Sequence, residues 1–357
     1  MAYDYALRLA AGRADATERL LAPALAKLTG FSPAGAAGNW SFCDLANATV
    51  CPALEAAGAG TTVAVLLFNS QAQAVAAAPV RIPVPTPAAA GSYAVADAHA
   101  APVLAQLVPA SPFDAFLRET YYAYAGPRNV TWLAFEAALP PGGYAVYFVT
   151  PVASAAEAPS TVASVVHAAL APSSADAIIS NANITLTFSG TTGLLAHFAD
   201  VATGVDSALA QELRYYAASD GDWSHNLPAA GAYFMRPALN TTSPLLAPGA
   251  AAALVTLSGP VVSEAWQTFT PWASQVFRLW RSAPDVELQF DLGAVNVSDG
   301  VGKEIVSVLT APAIANAGAF FTDGNGRDSV LRVRDHRSGW NQTILEPVAA
   351  NFYVRPR

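Results

Sequence analysis

Lysine is nearly missing from this chain: Lys27 and Lys303 are its only two in 357 residues, and charged residues of both signs make up just 12%. The net charge of −8 repels phosphates and argues against nucleic acid or an anionic membrane as the main partner. Long apolar runs are missing as well. Hydrophobic residues reach 53%, yet no stretch of about 18 apolar residues runs unbroken, as a membrane helix would need. The nearest, Leu245 to Val262, holds Pro248, Pro260 and two glycines and reads as strand and turn. There is no Gly-Lys-Ser/Thr phosphate loop and no G-x-G-x-x-G after a strand, and Gly324-Asn325-Gly326 is a turn. Without a G-x-S-x-G elbow, acyl transfer on a hydrolase sheet has no support. The five histidines, His99, His167, His197, His225 and His336, form no H-x-H, H-x-D or H-E-x-x-H cluster. Each reads as a surface or packing residue, with metal-ligand spacing absent. The start, Met1-Ala2-Tyr3-Asp4-Tyr5, has neither the basic nor the apolar segment of a signal peptide.

What the chain does have points the other way from a cytosolic protein. Seven Asn-X-Ser/Thr sequons occur, at Asn39, Asn47, Asn129, Asn183, Asn240, Asn296 and Asn341. The only cysteines, Cys43 and Cys51, flank Asn47. As a pair they are either ordinary buried thiols or a short disulfide loop, and the surrounding sequons favour the disulfide in an oxidising compartment. A lumenal chain lacking a signal peptide is expected to begin inside a longer protein. Its abrupt stop after Phe352-Tyr353-Val354 suggests truncation there too.

Periodicity divides the chain. Residues 4–29 read as one helix, with Tyr5, Leu9, Leu20, Leu21, Ala24, Leu25 and Leu28 largely on one face and Gly30 as its stop. From Thr61 the period falls to two. Thr62–Asn69 is a buried strand, Val80, Ile82 and Val84 alternate on the next, and Pro83, Pro85 and Pro87 mark a connection. Further strands follow at Ser92–Ala96 and Val130–Ala137, and Leu139–Val149 is a turn with a closing strand. A second β region opens near Asp176 with a hairpin, Ile184–Phe188 and Leu194–Phe198 about Gly190-Thr191-Thr192-Gly193. Strands are expected again around Gly231–Arg236, Ala252–Ser258, Val276–Trp280, Val286–Leu292 and Ile305–Leu309. So many strands with so little helix between them predict a mainly β protein with antiparallel sandwiches rather than a parallel α/β sheet.

Chemistry is harder to find. Glycoside hydrolysis needs two carboxylates flanking one bond. Candidates are Asp220, Asp222, Glu264, Asp285, Glu287, Glu304, Asp323 and Asp328, but spacing in a sandwich does not pair them, and most are expected to be solvated turn residues. Gly231-Ala232-Tyr233-Phe234-Met235-Arg236-Pro237 reads as an edge strand closed by proline, with one aromatic turned into a core.

That stretch also resembles the S-G-A-Y-x-F-R-P pattern of glycoside hydrolase family 38, the class II α-mannosidases, in its lysosomal branch. It departs from the pattern at Ala230 and at Phe234-Met235. Other segments are similar in the same order. Tyr3–Gly12 looks like the family's helix after its zinc-ligand loop. Phe42-Cys43, Asn47-Ala48-Thr49 and Cys51-Pro52 look like its disulfide loop, and Leu67-Phe68-Asn69 and Leu139–Tyr147 like the ends of its small β domain. Then come Trp272–Leu279 with Glu287-Leu288, Gly302-Lys303-Glu304-Ile305, Phe321–Arg327, Asn341-Gln342-Thr343 and Glu346–Tyr353.

The resemblance implies the last helix of a helical bundle at 1–30, a disulfide loop at 31–57, a small β-sandwich at 58–152, a linker at 153–175 and an incomplete large β-sandwich at 176–357. The large one would be a truncated galactose-mutarotase-like supersandwich. Family members are retaining glycosidases that use a catalytic aspartate, a second carboxylic acid and a zinc ion. All of these lie in an N-terminal domain that would be this chain's partner, so neither a catalytic residue nor a zinc ligand is expected here. One position carries over: Tyr233 matches a tyrosine reaching from the β domain to the bound mannose. Asp323, Asn325 and Arg327 match a family motif, with a structural turn and ion pair as the plainer reading. A mannose-containing oligosaccharide as ligand and a lysosomal, vacuolar or secreted setting follow. A catalytically inert carbohydrate-binding or structural β module is the competing expectation.

Overall fold

The computed structural model describes residues 2–30, 40–58, 60–88, 91–154, 161–162, 164–169, 175–222, 224, 229–231, 235–324 and 327–334. The chain divides into two compact units, one comprising Met1–Ala163 with Gly259–Val261, the other Ser164–Ser258 with Val262–Arg357.

The first unit opens on the expected helix. Its first part, α1 (Ala2–Ala16), passes through one π-type turn at Thr17–Leu21 into α2 (Ala22–Thr29). Pro23 explains the wide turn. It has no N–H to give to residue 19, and its ring crowds that carbonyl, so the backbone loosens just before it. Gly30 stops the helix at φ 63°, a left-handed conformation that costs glycine little. Tyr5, Leu9, Leu20 and Leu28 are exposed. The loop after it carries the Cys43–Cys51 disulfide and leads into α3 (Pro52–Glu55).

Two sheets follow. One has the order β1 (Val63–Phe68), β6 (Tyr144–Val152), β3 (Ser92–Ala96). The other runs β2 (Val75–Pro85), β5 (Val130–Leu139), β4 (Ala105–Pro109), β7 (Thr161–Val162), with β7 parallel to β4. Val80, Val84, Leu107, Leu133 and Phe135 of the second sheet pack with Tyr93, Val95, Tyr147 and Val149 of the first. Pro83 and Pro85, expected as a connection, lie within β2, opposite Trp132 and Val130. They and Pro79 share one parity, so their missing N–H groups fall on one side of the strand. An edge strand can turn that side outward. The helical stretch α4 (Pro112–Phe116) was not anticipated. It is capped by Ser111 and Asp114 in a reciprocal box, and Trp132 Nε1 donates to the same Asp114 carboxylate at 3.0 Å.

A buried charge cluster holds the disulfide loop to this unit. Arg118 donates from Nε to Pro127 O at 2.8 Å, from Nη1 to Thr49 O, and from Nη2 to Glu55 at 2.9 Å. Tyr124 donates to the other Glu55 oxygen at 3.0 Å. Desolvation, then that hydrogen bond, push the Tyr124 phenol upward.

The second unit is a larger antiparallel sandwich. One sheet has the order β13 (Ser243–Pro244), β12 (Val205–Ala217), β11 (Leu195–Asp200), β10 (Ile184–Phe188), β9 (Ala177–Ser180), with β18 (Lys303–Thr310) also on β12. The other has the order β17 (Glu287–Leu292), β16 (Ala273–Trp280), β15 (Val262–Thr270), β14 (Ala253–Ser258), β8 (Ser164–Ala169). The hairpin expected at 184–198 is β10–β11. Its Gly193 sits at φ 68°, and a Cβ there would lie 2.1 Å from Ala252 O, so only glycine fits. Ile179, Ile184, Leu186 and Phe188 meet Leu254, Ala265, Phe277 and Leu279 between the sheets. Three fully buried amides share that interior: Gln211 and Gln275 exchange hydrogen bonds, Gln275 donates to Gln267, and Gln267 donates to Gly193 O. A ribbon of β19 (Ala319–Asp323) and β20 (Ser329–Val333) completes the unit.

The predicted linker at 153–175 is corrected in part. It contributes β7 and β8, and β8 pairs with β14 from Ser164 to Ala169. Its Ala- and Ser-rich composition conceals strands whose hydrogen-bond partners lie far away in the chain.

Candidate functional site

The described ends of the Gly231–Pro237 stretch lie beside the end of β12. Ala230 N–H donates to Ser219 O at 3.0 Å, Ser219 N–H to Arg236 O at 2.9 Å, and Ala238 N–H to Ala217 O at 2.8 Å. Ala218 makes a single antiparallel bridge with Pro237. From its other side, Ala218 N–H donates to Gly302 O at 2.9 Å. The end of one strand thus gathers two of the motif segments, 230–238 and 302–303. Met235 and Arg236, at the end of the expected strand, are not part of one, and residues 232–234 of that strand lie outside the described residues. Proline at 237 has no N–H with which to extend a ladder. Tyr233 lies outside the described residues, as do Asn325, Asn39 and Asn341.

Lys303, next to this strand end, is one of the two lysines. Its ammonium donates to Asn296 O at 2.9 Å, to Val301 O at 3.2 Å and to both Asp299 oxygens at 2.8 Å. It lies 6.0 Å from the Tyr215 ring. These contacts clip the loop that bears the Asn296 sequon. The bond from Lys303, then one from the Val301 N–H, hold the Asp299 carboxyl below its ordinary range.

The second constellation is on the outer face of the other sheet. Register places Glu264 of β15, Arg278 of β16 and Glu287 of β17 side by side. Arg278 donates from Nε to Glu264, from Nη1 to Glu287 and from Nη2 to Gln289 at 3.2 Å. Trp266 Nε1 closes the remaining Glu264 oxygen at 2.7 Å, and Trp280 Nε1 closes that of Glu287 at 2.9 Å. Burial works against the charge of Arg278, but the two carboxylates outweigh it and hold the guanidinium above its ordinary range. Two carboxylates with two tryptophans look like a glycosidase pair. Here, however, each carboxylate is engaged by the arginine and an indole, which leaves neither one poised to transfer a proton.

The other carboxylate candidates, Asp220, Asp222, Asp285, Glu304, Asp323 and Asp328, are exposed. Asp222 accepts from the Ser224 N–H and hydroxyl at 3.0 and 2.5 Å. Asp323 pairs in register with Ser329 across the β19–β20 hairpin, and Arg327 N–H donates to Gly324 O at 3.1 Å within its turn. Among the described residues no three His, Cys, Asp or Glu side chains gather to hold a metal ion. Of the sequons, Asn47, Asn129, Asn240 and Asn296 are exposed. Asn183 is half-buried, and its side-chain amide donates to Ala283 O at 3.0 Å. Sequence reasoning missed Arg278 as the link between two candidate acids. Its only signal was an arginine in a strand otherwise free of charge.

Residues 179–354 match the family described as "Glycosyl hydrolases family 38 C-terminal domain". Similarity extends over almost the whole chain. A probable alpha-mannosidase of Arabidopsis thaliana is 32% identical over 362 residues, covering 99% of this chain and 34% of that protein. The alpha-mannosidase of Canavalia ensiformis is 32% identical over 360 residues, covering 98% and 35%. The lysosomal alpha-mannosidase of Homo sapiens is 32% identical over 357 residues, covering 99% and 32%. The chain thus spans about a third of the length of these relatives. With an antiparallel β sandwich beneath residues 179–334 and collinear similarity on both sides of it, the chain belongs to glycosyl hydrolase family 38 and carries that family's C-terminal domain.

Proposed function

We propose that this chain is the C-terminal β part of an α-mannosidase that removes terminal α-mannosyl residues from N-glycans or related oligomannosides by a retaining mechanism. The observation that carries this reading is its collinear similarity, over 98–99% of its length, to proteins named alpha-mannosidase. Within it, the units around 58–152 and 176–357 serve as small and large β domains, and Tyr233 forms one wall of the mannose site. A phenol hydroxyl there would donate to a sugar oxygen or to the catalytic carboxylate, with its ring against the apolar side of the pyranose. The catalytic aspartate and the zinc ligands belong to a domain outside this sequence. The described residues do not fit a zinc site, so no step is assigned to that metal here. A lysosomal, vacuolar or secreted setting agrees with the relatives' names and with the disulfide.

Two measurements test it. The chain alone should not hydrolyse an aryl α-mannoside, and turnover would contradict the placement of catalytic groups elsewhere. In a longer protein that contains this sequence, Tyr233→Phe should lower kcat/KM about tenfold, the value of one hydrogen bond to the sugar. Unchanged kinetics would remove Tyr233 from the site. A second reading, an inert carbohydrate-binding or structural β module, is favoured for the isolated chain by Glu264 and Glu287, whose carboxylates are taken up by Arg278 and the indoles.

A further inference from the structure

A guanidinium stays charged at every accessible pH, so losing a proton cannot relieve its burial. This protein usually meets that demand in full. Arg118 directs its three nitrogens to Pro127 O, Thr49 O and Glu55. Arg278 directs its own to Glu264, Glu287 and Gln289. Arg214 directs its own to the Thr242 hydroxyl, Glu212 and Thr242 O. Arg236 is the exception. Its Nε and Nη1 are buried, and neither reaches an acceptor among the described residues. Its backbone, by contrast, is held in place, with the carbonyl taking the Ser219 N–H and the next residue bridging to Ala218. The residue as a whole is half-buried, but two guanidinium N–H groups shut off from water without an acceptor forfeit their hydration, and orphaned buried donors in a folded protein call for a ligand.

We propose that Arg236 anchors an anion site whose ligand is a carboxylate, supplied either by a small sugar acid or by a protein side chain. A carboxylate fits better than a dianion such as sulfate. The chain carries a net charge of −8, and Asp220 and Asp222 stand exposed close by in sequence, so a second negative charge on the ligand adds repulsion. The proposal does not depend on the mannose reading and survives if that reading fails.

Thermal unfolding of the chain tests it, in chloride, acetate and sulfate at matched ionic strength and with D-glucuronate against D-glucose. Acetate or glucuronate should raise Tm by about 2–4 °C over chloride or glucose. Arg236→Gln should abolish that rise, and Arg236→Met should raise Tm in chloride because the unpaired charge is gone. A response to glucuronate alone identifies a sugar acid; an equal response to acetate identifies any carboxylate, including a protein side chain. The proposal is overturned if wild type and Arg236→Gln respond alike, or if sulfate acts more strongly than both carboxylates. It also fails if Arg236→Met lowers Tm or does not fold, since the guanidinium would then already have its partners inside the chain.

Discussion

Replacing Arg278 by methionine removes the shared cation of the Glu264–Arg278–Glu287 row while keeping most of its packing volume. The two acids should not suffer equally. The side chains of Arg278 and Glu264 are each 2% exposed, whereas that of Glu287 is 46% exposed. Glu287 regains water when its partner goes, and its pair with Arg278 has the small value of a screened contact, below about 1 kcal/mol. Glu264 cannot regain water. It keeps the Trp266 indole bond but becomes an uncompensated interior charge, which costs about 3–5 kcal/mol. For a unit of this size, a urea slope near 2 kcal/mol/M converts that into a midpoint lowered by about 1.5–2.5 M. Trp266 and Trp280 border the row, so tryptophan fluorescence reports the transition. Adding Glu264→Gln should recover most of the loss, because the stranded charge is then gone.

The variant also acquires a pH signature. Burial without a cation raises the folded-state pKa of Glu264 above its unfolded value of about 4.3. The folded variant therefore binds more protons than the unfolded chain just above that value, and its stability falls as pH rises through the window between the two pKa values. Arg278→Met should thus be more stable at pH 5 than at pH 7 by a margin that the wild type lacks. If Arg278→Met costs less than 1 kcal/mol, or if Glu264→Gln fails to rescue it, the row does not act as a buried ion network.

Three further outcomes follow from the structure. Gly193→Ala should destabilise the second unit by about 2–4 kcal/mol in urea titrations, because φ is 68° and the new Cβ would stand 2.1 Å from Ala252 O. Peptide mapping of the secreted chain should find glycans at Asn47, Asn129, Asn240 and Asn296 but not at Asn183; an occupied Asn183 would show that its bond to Ala283 O is dispensable. Burial pushes the Tyr93 phenol up to about 12, so the stability it contributes is complete below pH 10 and lost as pH rises from 10 toward 12. Tyr93→Phe should flatten that alkaline limb at the cost of the 2.7 Å bond to Pro85 O.

Much of the fold was legible because alternation shows wherever a strand has one dry face and one wet one. The hairpin at 184–200 was read for that reason, its first strand alternating buried and half-buried residues. Strand β15, Val-Ser-Glu-Ala-Trp-Gln-Thr-Phe-Thr, escaped because both of its faces are largely buried and its polar members pair with distant residues, Glu264 with Arg278 and Gln267 with Gln275. Strand β12 escaped too, since most of its residues are only partly buried along its length. Pro83 and Pro85 misled for the opposite reason: proline breaks a strand everywhere but at an edge, and whether a strand is an edge depends on its neighbours.

The sequence by itself determined where the helix starts and stops, which class of sheet the strands build, that Cys43 and Cys51 stand close enough in sequence for one short loop, and which family the chain resembles. All of these are local or follow from collinear pattern. Only the tertiary structure decided which of eight carboxylates are tied up, because pairing Glu264 with Glu287 through Arg278 requires strand register, and register is a relation between segments. It also decided that the Asn183 amide is engaged while four other sequon asparagines are exposed, and that Nε and Nη1 of Arg236 are buried without an acceptor among the described residues. The reason is the same in each case: burial and partnership are properties of a position in space, and a residue's identity does not contain them.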